Sequence, residues 1–154
     1  MSLVPLMLLA PVLVVVAWSD LRHLRIPNAL SLVAIGLFAL CAMIAPPADL
    51  WIRVGVAGVV FALGFIGFCR GLWGGGDVKF LAALMLFVPV TTLSAFSYVF
   101  SASILTGIGL VLGLRRIPAT SGFGWKSISG STKFPMGLSI AMAGLVHPLV
   151  VTVF

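Results

Sequence analysis

The sequence has no glutamate, and its only acidic residues are Asp20, Asp49 and Asp77. Charged residues make up 8% of its 154 residues, against roughly 25% in a soluble domain. Its two cysteines, Cys41 and Cys69, lie in apolar runs without metal-ligand spacing, which argues against a disulfide scaffold and a metal site. Hydrophobic residues instead reach 62%, with a mean hydropathy of +1.29. This composition indicates an integral membrane protein and argues against a soluble enzyme or a disordered chain.

Apolar runs divide the chain into candidate membrane spans. A hydrocarbon core of ~30 Å takes about 20 apolar residues per helix, so charges and turn residues mark the boundaries. We predict an all-α integral membrane protein, a bundle of about six transmembrane helices forming a single domain, 1–154. The fourth span is short. The predicted spans are Leu3–Trp18, Ala29–Ala45, Trp51–Cys69, Phe80–Pro89, Leu93–Leu114 and Pro135–Val153.

Basic residues predict the orientation of these spans. Eight of the nine Lys and Arg residues fall in alternate connections, the last of which holds Lys126 and Lys133, and Arg53 is the exception. Cytoplasmic loops collect Lys and Arg, so both termini are expected to be extracytoplasmic. The same asymmetry accounts for the net charge of +6, and no nucleic-acid partner is expected.

The predicted topology leaves one pair of carboxylates on the same side. Asp49 falls on the outer face, whereas Asp20 and Asp77 both fall at the cytoplasmic membrane edge. Two carboxyl groups held close share one proton, so the charged one can activate a water while the neutral one donates to a carbonyl. Such a pair hydrolyses an amide without a metal or a cofactor.

Each aspartate also has a purely structural interpretation of about equal weight. Asp77 follows Gly74–Gly76 and precedes an apolar run, so it can cap a helix. Asp20 lies near Arg22 and can be a solvated ion-pair partner. Three successive glycines exceed the needs of a cap, however, and leave room for a peptide beside the carboxylate. Asn28 is the predicted N-cap of the second span.

Three motifs resemble those of the prepilin peptidases, the GxGD-type intramembrane aspartyl proteases of bacteria. They are Asp20 followed by Ile26-Pro27-Asn28, then Gly74-Gly75-Gly76-Asp77-Val78-Lys79, and finally Phe134-Pro135-Met136-Gly137, in which Met136 stands where the family usually has an aromatic residue. The resemblance covers nearly the whole chain. The chain resembles the short form of the family, which is found with Flp-type (tight-adherence) pili. This form lacks the four-cysteine zinc domain and the methyltransferase activity of longer members.

The resemblance implies a membrane aspartic endopeptidase in the bacterial inner membrane, with its active site facing the cytoplasm and no cofactor. Asp20 and Asp77 would be catalytic, and the substrate would be a prepilin or pseudopilin whose basic leader is cleaved off at the cytoplasmic membrane boundary. Lys79 has the alternative role of a membrane anchor reaching lipid headgroups. The residues expected to bind substrate or support the site are Gly74, Gly75, Gly76, Lys79, Pro27, Asn28, Pro135 and Gly137.

Two other functions compete with this interpretation. A small proton-coupled transporter would bind its ion at Asp20 and Asp77, and a pilus-assembly subunit would use neither. Transporters place coupling sites near the midplane and often contain inverted repeats. The edge position of both aspartates and the lack of a visible repeat therefore favour the peptidase.

Overall fold

The computed structural model describes residues 3–116, 127 and 134–153, and every regular element within them is helical. This confirms the predicted all-α class. The predicted positions of Lys126 and Lys133 lie outside the described residues. The helices are α1 (Val4–Leu8), α2 (Ala10–His23), α3 (Asn28–Ile44), α4 (Leu50–Cys69), α5 (Gly75–Met85), α6 (Leu93–Arg115, preceded by a 3-10 turn over Val90–Thr92) and α7 (Met136–Val153).

Three helices are long and apolar enough to cross a membrane: α4, α6 with its preceding turn, and α7. Helix α3 is apolar but has 17 residues. The first predicted span, Leu3–Trp18, covers α1 and the first part of α2. The two helices separate at Leu9 because Pro11 lacks an N–H and its ring crowds the preceding turn. The total of six spans and the side of the termini stay predictions.

The short fourth predicted span corresponds to a short, buried helix. With 11 residues, α5 is about 16 Å long, too short for a hydrocarbon core of ~30 Å. Its side chains are packed in the middle of the bundle, with Phe80 and Leu84 fully buried. Helices α3, α4 and α7 surround it. Packing against neighbouring helices therefore explains why this segment is apolar.

Helix α4 stands apart from the other helices. It packs extensively on α5 but makes little direct contact with α3 or α6. The opposite side of the bundle is tighter, because α7 packs along both α2 and α6. Two grooves consequently flank α4, and α5 forms the floor of both.

Arg53 belongs to a polar network where α5 ends. Its Nε pairs with Asp49 Oδ1 at 2.8 Å, and its Nη1 donates to the carbonyls of Phe87 (3.2 Å) and Leu86 (3.4 Å). Asp49 Oδ2 accepts the Val90 N–H at 3.0 Å. A helix leaves its last carbonyls without intrahelical partners, and Arg53 satisfies two beyond the end of α5. We call these five residues the Arg53 network, which joins α4, α5 and the turn before α6.

Candidate functional site

Asp20 caps a helix that is distant in sequence. It lies in the last turn of α2, with 3% of its surface exposed, and its Oδ2 accepts the Leu138 N–H at 3.1 Å. The Gly137 N–H also bonds this carboxylate. Both donors belong to the first turn of α7, whose N–H groups have no intrahelical partners. The carboxylate is therefore fixed in position by the start of α7.

Asp77 lies in the first turn of α5, after an N-cap at Gly74. Its carboxylate is partly buried and interacts with the Gly74 N–H. The neighbouring glycines leave space that side chains would fill. A Cβ on Gly74 would come 2.6 Å from Asp77 Oδ2, and one on Gly76 would come 2.8 Å from the Ile26 carbonyl oxygen. The helical-cap interpretation and the close-approach interpretation of this motif are thus both consistent with the structure.

Gly137 is packed against the other aspartate. A Cβ at this position would lie 2.9 Å from Asp20 Oδ2 and 2.8 Å from Ile26 Cδ1. Glycine therefore lets α7 approach α2 closely enough for its N–H groups to reach the carboxylate. Pro135, the other residue predicted from this motif, is buried just before α7.

Both aspartates line one cavity of about 560 Å³, which we call the aspartate cavity. It lies where α2 and α4 finish and α5 and α7 begin, beside the middle of α6. Among the described residues, no hydrogen bond joins the two carboxyl groups, and the cavity that they share has room for water or a segment of peptide. The rest of its lining comes from Leu24, Gly71, Leu72, Trp73, Gly74, Ile104, Phe134 and Met136.

The environment raises the pKa of both carboxyl groups, which lie outside the candidate membrane-spanning helices. Burial, reinforced by the charge of Asp77, raises the pKa of Asp20 to about 7, although the N–H groups of Leu138 and Gly137 oppose the shift. Burial raises the pKa of Asp77 to about 6. Near neutral pH the pair therefore holds about one proton, which suits combined acid and base catalysis.

A second cavity, of about 770 Å³, adjoins the first at Asp77 and collects most of the other predicted residues. The structure corrects one of them, because Pro27 and not Asn28 occupies the N-cap position of α3. The Asn28 side chain instead accepts a hydrogen bond from Lys79 Nζ at 3.2 Å. In the described part of the chain, no ion pair joins Lys79 to Asp77. The predicted residues that line this cavity are Pro27, Asn28, Gly74, Gly75, Gly76, Asp77 and Lys79.

Several residues at the site were not identified from the sequence. Leu24 lines both cavities and has a left-handed backbone, with φ of 53°. This conformation is unfavourable for leucine, so nothing in the sequence indicates it. Ile104 comes from α6 and is one of many apolar residues there. Trp73 directly precedes the glycines, and its adjacency to that motif is the one signal that could have identified it.

Ser127, which lies between α6 and α7 in the sequence, is bonded to the ends of α2 and α6. Ser127 Oγ donates to the Leu21 carbonyl at 2.5 Å, and Arg115 donates to the Ser127 carbonyl at 2.8 and 3.0 Å. Leu21 directly follows Asp20. Through Ser127, these bonds connect the Asp20 end of α2 to the end of α6.

The family model described as the type IV leader peptidase family matches residues 7–116. The matched segment contains both aspartates, the three glycines and Lys79, and it stops before α7. No curated protein and no solved structure matches the chain.

Proposed function

Because the chain belongs to the type IV leader peptidase family, we propose that it is an aspartic endopeptidase acting on prepilin-like precursors. It removes their basic leader at the cytoplasmic boundary of the bacterial inner membrane. One observation carries the aspartic mechanism: Asp20 and Asp77 come from different helices and line the same cavity. The third aspartate, Asp49, is bound in the Arg53 network and has no part in it.

The two pKa values divide the catalytic roles. Asp77, with the lower value, is the ionised partner and takes a proton from a water held in the aspartate cavity. Asp20, with the higher value, donates its proton to the oxygen of the peptide carbonyl. The hydroxide equivalent adds to the carbonyl carbon. Collapse of this intermediate breaks the C–N bond, and the amine leaves with a proton from the pair.

An apolar cavity of about 190 Å³ offers the substrate a route to Asp77. It lies in the groove between α4 and α6, where Val60, Leu81 and Phe100 line it and Asp77 is its one acidic residue. A precursor with an apolar helix can approach through this groove from the bilayer. Its leader then stays in water, and the bond between the two segments reaches the aspartate.

The proposal is tested by co-expressing the protein with a pilin precursor from the same genome. The wild type is expected to shorten the precursor, and Asp77→Asn is expected to leave it at full length. Shortening by both proteins would show that Asp77 is only a helix cap. If neither protein shortened any precursor of that genome, the peptidase assignment would be wrong.

Cleavage is expected to depend on pH in a bell shape, with its maximum between about 6 and 7. Activity requires one protonated and one ionised carboxyl group, and the raised values of Asp77, about 6, and Asp20, about 7, bracket that state. The measurement is the initial cleavage rate in detergent from pH 4 to pH 9. A rate that stays constant across this range would contradict the shared-proton mechanism.

Gly137→Ala is expected to abolish most cleavage, because its Cβ would push against Asp20 and Ile26. Gly58→Ala is the matched control, since a Cβ there meets nothing within 4 Å. In a helix the control change is expected to stabilise the protein slightly, by about 0.5–1 kcal/mol. Cleavage rates and melting temperatures of both variants check this. Equal activity would mean that the close approach of α7 to Asp20 is unimportant.

A further inference from the structure

The groove on the other side of α4 forms a separate cavity of about 450 Å³. Helices α3 and α4 form its walls, and α5 forms its floor. Leu32, Ile35 and Phe61 are exposed along it, with 68%, 45% and 43% of their surfaces accessible. In a membrane these side chains face lipid, so the groove opens sideways into the bilayer. We call it the α3–α4 groove.

One end of the α3–α4 groove is polar and positively charged. Lys79 Nζ and Asn28 Oδ1, 3.2 Å apart, line this end. Lys79 has no ion-pair partner among the described residues, and no carboxylate lines the groove. A cation beside an apolar channel matches a ligand with an anionic head and an apolar tail.

Ser31 supplies an independent sign of a missing ligand. It lines the groove one turn after Asn28, is 5% exposed, and its hydroxyl has no hydrogen-bond partner. Hydroxyls in helices commonly bond the carbonyl four residues earlier. Ser97, Ser101 and Thr106 of α6 do so at 2.7–3.0 Å. A buried hydroxyl without a partner is costly, and an acceptor bound in the groove would satisfy it.

We propose that the α3–α4 groove binds an anionic phospholipid. The phosphate contacts Lys79 and the amide N–H of Asn28, and a glycerol ester oxygen accepts the Ser31 hydroxyl. One acyl chain then lies along Ile35 and Phe61. The groove runs seven residues along α3, from Asn28 to Ile35, which is about 10 Å. This length accommodates the upper part of a chain.

Charge favours a lipid over the precursor as the occupant. The proposed substrate carries a basic leader, which Lys79 would repel and which finds no carboxylate in this groove. The groove between α4 and α6, by contrast, contains Asp77. This charge argument against the precursor rests on the proposed function, whereas the lipid-binding measurement does not.

The test is native mass spectrometry of the full-length protein in detergent, with phosphatidylglycerol or phosphatidylcholine of identical acyl chains added. The wild type is expected to bind one phosphatidylglycerol, at least about tenfold more tightly than phosphatidylcholine. Lys79→Gln is expected to lose this preference, and Lys79→Arg to keep it. Ser31→Ala is expected to weaken binding about fivefold, the loss of one hydrogen bond of about 1 kcal/mol.

Two further variants distinguish binding in the groove from a general effect of the protein's positive charge. Ala82→Leu fills the floor of the groove and is expected to reduce binding of both lipids. Arg70→Gln removes a cation after α4, outside the groove, and is expected to bind like the wild type. Melting temperatures identify any variant that fails to fold, and Lys79 is exposed enough for its substitution to be tolerated.

Equal binding of the two lipids, or unchanged binding by Lys79→Gln, would overturn the proposal. A photo-crosslinking amino acid in place of Ile35 identifies the molecule that occupies the groove. If it captured a pilin precursor and no phospholipid bound, the α3–α4 groove would belong to the substrate, and the lipid proposal would be wrong.

Discussion

Asp20→Asn is expected to slow cleavage by about 10²–10⁴-fold, the usual contribution of a general acid or base, while leaving the protein at least as stable as the wild type. The loss of activity follows from the loss of the transferable proton. Asparagine keeps an oxygen that can still accept the Leu138 N–H, now bonded at 3.1 Å. The start of α7 therefore keeps its cap.

The direction of the stability change follows from the raised pKa of Asp20. Its value rises from 3.8 to about 7 on folding, so the folded state favours the protonated form. Below about pH 4 the group is neutral in both the folded and the unfolded state. As the pH rises from about 4 to 7, the unfolded chain loses this proton before the folded protein does, so the free energy of unfolding falls. Asparagine is neutral at every pH. Asp20→Asn is thus expected to raise the melting temperature most at pH 8, and not at pH 3.5.

Asp49→Asn is the matched control for this result. It makes the same chemical change in the third aspartate, which lies in the Arg53 network. We expect the reverse pattern: lower stability, with cleavage per folded molecule unchanged. If Asp20→Asn instead melted lower than the wild type at pH 8, Asp20 would be primarily a structural cap. If Asp49→Asn lost cleavage at full stability, the assignment of the catalytic pair would be wrong.

Asp49→Ala is expected to destabilise the protein by about 3 kcal/mol, near the lower end of the range for removing one partner of a buried ion pair. The side chain of Arg53 is 7% exposed, and the change would leave its charge with only the Leu86 and Phe87 carbonyls as partners. Since the Asp49 side chain is 22% exposed, the larger values in that range do not apply. The Val90 N–H would also lose its acceptor.

Reversible unfolding in mixed detergent micelles measures this change. The double variant Asp49→Ala with Arg53→Met is the informative comparison, because methionine leaves no buried charge behind. It is expected to recover part of the loss, which a double-mutant cycle would report as a coupling between the two positions. If the single changes were simply additive, the ion pair would contribute nothing measurable.

The sequence was most informative about the aspartates. With only three carboxylates in the chain, the alternation of basic and neutral loops was enough to pair Asp20 with Asp77, and the structure has both in one cavity. The importance of Gly137 came only from the resemblance of its motif. No local pattern indicates that the first turn of α7 meets a side chain 118 residues away.

Arg53 and α5 show why other features of the structure could not be predicted from the sequence. Arg53 was the exception to the charge pattern because it pairs with Asp49 and with two backbone carbonyls inside the protein. The i,i+4 spacing of Asp49 and Arg53 can be read from the sequence, whereas carbonyl partners are present at every position of any sequence. The burial of α5 could not be predicted from its composition, because apolar residues are needed equally against lipid and against other helices. Distinguishing the two requires knowing which helices surround it.

The position of Asp77 is anchored from the opposite end of its helix. Helix α5 carries Asp77 at one end, and the Arg53 network holds the carbonyls just beyond its other end. Between these points the helix has a fixed length. One inserted residue would move Asp77 by about 1.5 Å along the helix axis and rotate it by about 100° around that axis. The Arg53 network thus helps to fix where Asp77 lies in the aspartate cavity, from about one helix length away.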